Sequence, residues 1–239
     1  SVTTTSPDSS ERVLTIGAAG IQTGTGGVTG GAISLTAANN TGGTANALVI
    51  NGVLNTTIGS GGVLTLSGGV SLNASPTLGA GNITLNGNGI DITLGTINFA
   101  TSTVVSVIRH INITGALTTS ASQNLTLTAD NNNDGLGGVV VQSGASISSG
   151  GTLSISGSDF EVANAYSADP NSAIDIKSGS SATATGTISF FGNVGNSNIN
   201  VNGAITNNSS GATITFTPFG AGVINLGANV TSTSGLITF

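Results

Sequence analysis

Residues 128–138, TADNNNDGLGG, hold the densest set of oxygen donors in the chain. Asp130, Asn132, Asp134 and Gly135 fit the spacing D-x-[DN]-x-[DN]-G, the front half of a calcium loop. A hard cation such as Ca²⁺ takes about 6–8 oxygen ligands, and alternate residues of such a loop point inward while Gly makes the sharp turn. Asp130, Asn132 and Asp134 are therefore the candidate metal ligands, with the Leu136 carbonyl in reach. The loop's twelfth position, where a calcium loop places a bidentate Glu, is Val141. The competing reading is an Asx-rich polar turn between two strands. On this reading no cofactor is required, and a structural Ca²⁺ is the one ion the spacing would accept.

A second acidic group lies in SGSDFEVANAYSADP, where Asp159 and Glu161 fall on one side of an extended segment, about 7 Å apart at ~3.3 Å per residue. With Asp169 and Asp175 they could serve as general acid and base on a polysaccharide. Such chemistry also wants cations and aromatic platforms. The chain offers only Arg12, Arg109 and Lys177, no Trp and the lone Tyr166. That shortage favours a solvated inserted loop around 158–172, with Lys177 offsetting Asp175. No catalytic residue is assigned and the chain is expected not to be an enzyme.

His110 follows Arg109 in VVSVIRHINITG, with no Cys and no second His to share a zinc ion. One surface-facing and one semi-buried strand position account for the pair. The glycine-rich GTGGVTGG has no Lys of a phosphate loop and no helix behind it.

These residues must be held by something, and composition narrows what that is. Only 5% of residues are charged, against roughly a quarter in an ordinary domain, and Ser, Thr and Asn take their place. Three basic residues against nine acidic ones build no phosphate-binding surface, so nucleic acid is excluded as a partner. No apolar run approaches the ~20 residues that span a bilayer, so no membrane insertion is expected. The absence of Cys and Met suits an oxidising, extracellular setting. Without an initiator Met or a signal peptide, the chain reads as a portion of something longer.

Helical periodicity is absent. Short alternating runs recur instead: AISL, VLTL, NITL, DITL, NLTL, TLSI, TISF, TITF and LITF. Each puts two apolar residues on one face and a small polar residue on the other. The runs belong to a repeat. VVVQSGASISSGGTLSI (139–155) lies over IDIKSGSSATATGTISF (174–190) without a gap, and INLGANVTSTSGLITF (224–239) follows the same plan. VNGAITNNSSGATITF, ITGALTTSASQNLTL and INGVLNTTIGSGGVLTL repeat it again. A Gly marks the corner after the first strand in each copy, at Gly52, Gly115, Gly144, Gly179, Gly203 and Gly227.

A constant core step with variable spacing between copies is what a parallel β-solenoid demands, because coils stack in register while insertions escape sideways. At about 20–25 residues per coil the chain makes roughly ten coils. Residues 1–30 are expected to hold an N-terminal extension and the first coil or coils, and residues 31–239 a continuous solenoid. An antiparallel β-sandwich is the alternative all-β fold. The outward positions mix Thr with Ser, Asn and Asp, so no regular T-x-T rank of an ice-binding face is visible.

NLTLTADNNNDGLGGVVVQSGASISSGGTLSISGSDFEVA, together with INVNGAITNNSSGATITF and INLGANVTSTSGLITF, resembles the repeats of large secreted bacterial exoproteins of the filamentous-haemagglutinin type. The resemblance implies a right-handed parallel β-helix, export to the bacterial cell surface and an adhesive role. The expected function is thus an extracellular structural or adhesive solenoid, part of a surface adhesin or fibre. Its expected partners are further coils of a parent chain, other copies of itself, or a host glycan or protein. A polysaccharide-binding or polysaccharide-degrading β-helix is the alternative.

Overall fold

The computed structural model describes residues 92–99, 102–107, 109–158 and 171–239, and before them the segments 2–4, 14–17, 21–22, 33–37, 48–50, 54–55, 64–67, 70–72 and 83–86. The described residues form an all-β solenoid of three parallel faces. The first face has nine strands: Leu14–Ile16, Leu48–Ile50, Val70–Leu72, Ile92–Leu94, Ile111–Ile113, Val139–Val141, Ser172–Ile176, Asn198–Val201 and Ile224–Leu226. The second has six: Ile97–Phe99, Ala116–Thr119, Ser146–Ser149, Ser181–Ala184, Ala204–Asn207 and Val230–Ser232. The third also has six: Thr103–Ser106, Leu125–Thr128, Leu153–Gly157, Ile188–Gly192, Ile214–Thr217 and Ile237–Thr238. Towards the N-terminus, Val2–Thr4, Ile33–Ala37, Leu64–Ser67 and Ile83–Asn86 form a further parallel sheet, whose last strand lies against Thr103–Ser106. Ile21–Gln22 pairs with Leu54–Asn55.

From residue 92 onward the chain visits the three faces in strict rotation, so each strand pairs in parallel with the one three strands later. This is the solenoid, and it removes the antiparallel sandwich. Among the described residues the first face counts nine coils, close to the number expected from length. Leu14–Ile16, within the segment expected to hold the first coil, already belongs to that face. Of the expected inserted loop, residues 159–170 lie outside the described residues, as does Gly52.

The gapless alignment of 139–155 over 174–190 is the register of all three faces. Val139 pairs with Ile174, Ser146 with Ser181 and Leu153 with Ile188. One inward file of the first face runs Ile113, Val141, Ile176, Val201 and then Leu226. Ile147, Ala182 and Ile205 stack on the second face, and Leu153, Ile188 and Ile214 on the third. All of these but Leu226 are buried. Burying each large aliphatic side chain is worth about 1.5–3 kcal/mol, so the files supply the cohesion. Phe190 and Phe216 stack with centroids 5.0 Å apart, and Phe216 and Phe239 follow at 5.4 Å, a spacing set by the coil rise.

The marked glycines divide into two kinds. Gly144 and Gly179 take positive φ, 81° and 78°, in the longer corners between the first and second faces. Gly203, in a shorter corner, instead leaves room for backbone: a Cβ there would lie 2.5 Å from the Ser180 carbonyl oxygen. Both kinds need Gly, for different reasons.

Replacing Phe216 by Ala should cost about 3–5 kcal/mol in urea unfolding, because it opens the ladder on both sides. Thr183→Ala, on the outer side of the second face, should change stability by less than about 0.5 kcal/mol.

Candidate functional site

The loop 129–138 links Leu125–Thr128 on the third face to Val139–Val141 on the first. Its backbone is tied to the preceding coil, since Asn131 N–H donates to the Val107 carbonyl at 3.0 Å and Asn131 Nδ2 to Ser106 Oγ at 3.0 Å. Asp130 and Asn133 both adopt positive φ, 51° and 56°, a conformation that Asn and Asp tolerate better than other side chains. Asn-rich composition is thus a backbone requirement here as much as a chemical one.

Of the three predicted ligands, Asp130 is fully buried, while Asn132 and Asp134 are exposed. Asp130 Oδ1 accepts the Asp134 N–H at 2.9 Å, and Oδ2 accepts the Gly135 N–H at 3.2 Å and the Ser158 hydroxyl at 2.5 Å. Asn132 Nδ2 donates to Asp134 Oδ2 at 2.7 Å, and the Leu136 N–H to Asp134 Oδ1 at 3.0 Å. The loop therefore brings all three residues onto one turn, with every carboxylate oxygen of Asp130 and Asp134 accepting a protein hydrogen bond. Asp130 faces the N–H groups of Asp134 and Gly135 and the Ser158 hydroxyl. Val141, at the position where a calcium loop carries its Glu, is buried in the core. This geometry suits a self-supporting turn organised by a buried carboxylate. Asp130 Oδ1 and both Asp134 oxygens accept one hydrogen bond each and keep a lone pair beyond it.

The second candidate cluster is separated. Asp159, Glu161 and Asp169 lie outside the described residues, as do Arg12 and Tyr166. Asp175 stands on the first face, in register with Val140 and Asn200. Among the described residues no three His, Cys, Asp or Glu side chains converge.

Asp175 belongs to an arrangement that the sequence reading missed. Four successive members of the outward file of the first face, Asn112, Val140, Asp175 and Asn200, are buried, Val140 completely at 0% exposure, while Asn225 beyond them is exposed. Buried polar groups need partners, and residues of the same file and of the corner beyond it supply them. Gln142 Nε2 donates to Asn112 Oδ1 at 2.7 Å, and Lys177 Nζ donates to Gln142 Oε1 at 2.8 Å. Asn225 Nδ2 donates to Asn200 Oδ1 at 2.7 Å. The available signal was the run of triplets INI, IDI and INV, in which a polar residue sits between two core residues.

Arg109 and His110 occupy the corner before Ile111–Ile113, not the strand positions expected from sequence. His110 is buried, and its Nδ1 accepts the Gly138 N–H at 3.0 Å, which fastens the end of the 129–138 loop. The role is structural: an unmet N–H at that depth would be costly.

No family model, curated protein or solved structure matches this chain.

Asp130→Ala strands three donors and should destabilise the protein by about 1–3 kcal/mol. Asp134→Ala, at an exposed position, should cost less. Thermal melts with Ca²⁺ and with a chelator should coincide for the wild type. A calcium-dependent rise in Tm that Asp134→Ala abolishes would show that the loop binds the ion.

Proposed function

We propose that this chain is a non-enzymatic, extracellular solenoid with a structural and adhesive role, belonging to a bacterial surface adhesin or fibre. The observation that carries the reading is the in-register stacking of coils whose second and third faces carry no charged side chain on any described strand. A stacked rod resists bending because each coil is bonded to the next along its whole perimeter. Uncharged outer files of Thr, Ser and Asn wet that rod without repelling a neighbouring surface or a second copy. The resemblance of its repeats to filamentous-haemagglutinin-type exoproteins supports the same reading, as does the absence of Cys from the sequence.

End-to-end stacking is part of the proposal. The coil of Ile224–Leu226, Val230–Ser232 and Ile237–Thr238 exposes Leu226, Leu236 and Phe239, and no described strand pairs with its outer edge. Such an edge accepts another strand, and the exposed files accept a further coil, supplied either by a continuing chain or by a second copy. Loops such as 129–138 would then project from the rod side as contacts for a host glycan or protein.

Sedimentation velocity and negative-stain microscopy of the 239-residue chain should show end-to-end dimers or short rods that increase with concentration. Leu226→Glu should shift the population to single particles. Strictly monomeric wild-type protein at high concentration would remove stacking between copies.

A further inference from the structure

The loop 129–138 is fastened at both ends, and only one fastening contains a group that titrates near neutrality. At its start the Asn131 N–H donates to the Val107 carbonyl, main chain to main chain. At its end the Gly138 N–H donates to Nδ1 of His110 at 3.0 Å, and both residues are buried, His110 at 4% exposure. A backbone N–H can only donate. Nδ1 must therefore present a lone pair, and the neutral imidazole holds its proton on Nε2. The corner around this bond is tight. The Gly138 carbonyl accepts from the Ile111 N–H at 2.9 Å and the Gly137 carbonyl from the Ser158 N–H at 2.6 Å. A Cβ on Gly137 would lie 2.6 Å from the Arg109 carbonyl oxygen. These ties leave the Gly138 N–H little freedom to turn towards another acceptor.

We propose that His110 is an acid-sensitive latch on this loop. A proton on Nδ1 would set N–H against N–H in a buried site, so the protonated ring and the Gly138 bond exclude one another. With the ring neutral the latch is closed. Once Nδ1 is protonated, the ring turns away or the loop end lifts, and the loop keeps only its fastening at Asn131. Only the released form binds the extra proton, so acid favours release by up to about tenfold per pH unit. The bond is thus present above the imidazole range, near about pH 6.5, and lost as pH falls through it. His110 is the sole histidine of the chain, so no other imidazole shares that range. Arg109 adjoins it in the corner, and Asp130 and Asp134 belong to the loop it holds. Asp175 stands on the strand that pairs with Val139–Val141, with Lys177 just past it. Asp91, the residue before Ile92–Leu94 on the other side, lies outside the described residues. Charges among these neighbours set the pH at which the proton arrives; none of them changes which bond it breaks.

The test is NMR of the full 239-residue chain, uniformly isotope-labelled. At about pH 7.5 the nitrogen shifts of the single imidazole should show the proton on Nε2. Amide exchange at Gly138, normalised to an unstructured reference at the same pH, should speed up about tenfold or more between about pH 7.5 and 5, while Asn131 keeps its normalised rate. His110→Asn removes the titration and keeps an acceptor, because its Oδ1 is bonded to Cγ as Nδ1 is. In that variant the Gly138 amide should exchange at one normalised rate across the same range. The proposal is overturned if the proton sits on Nδ1 at the higher pH, if Gly138 exchanges equally at both, or if His110→Asn shows the same acceleration. It also falls if Gly138 and Asn131 speed up together, since acid would then loosen the coil and not the latch. Should His110→Asn fail to fold, the wild-type shifts and exchange rates decide alone.

Discussion

Everything in this molecule follows from one constraint: each residue must sit directly over its counterpart in the coil below. Parallel stacking at the strand spacing leaves no freedom to stagger side chains. An inward residue therefore sees a near copy of itself above and below. Files such as Ile113, Val141, Ile176 and Val201, or the ring stack of Phe190 and Phe216, are the direct result. The same rule explains the missing charge. A charge repeated along an outward file would face like charge one coil away, whereas Thr, Ser and Asn bond to their counterparts, as Thr118 does to Asn98 and Asn225 to Asn200; the one charged strand residue of the described faces, Asp175, lies between Val140 and Asn200.

Corners obey the constraint differently from strands. Where the corner is short, backbone passes so close that only Gly fits, as at Gly203. Longer corners turn through positive φ at Gly144 and Gly179. At the corner between the third and first faces the chain inserts larger loops, and the buried Asp130 holds one of them by accepting from two backbone N–H groups and Ser158.

Much of the architecture was legible in the sequence because the repeat is a direct image of the register. Residues 139–155 and 174–190 align without a gap, and all three faces keep that alignment. Other features were hidden by variable corner lengths. The second-face file of Thr118, Ser148, Thr183, Thr206 and Thr231 contains a hydroxyl in five successive coils, yet its members stand at unequal intervals along the chain. Phe191 was hidden for another reason: in FF, which ring enters the core is decided by strand alternation and becomes plain only once the register is known. The spacing of Asp130, Asn132 and Asp134 marked the turn, whereas the bond from Ser158 in the next coil to the Asp130 carboxylate could not be read from the loop alone. Burial of the outward first-face file depends on three-dimensional packing that local pattern does not encode.

The side-chain tie from Asn112 through Gln142 to Lys177 has a mechanical meaning. In a solenoid the interstrand hydrogen bonds run along the axis, so tension applied end to end loads successive coils in series and would open the weakest junction first. A polar thread crossing three consecutive coils makes two of those junctions share the load. Under pulling, the middle of the molecule should yield after its flanks.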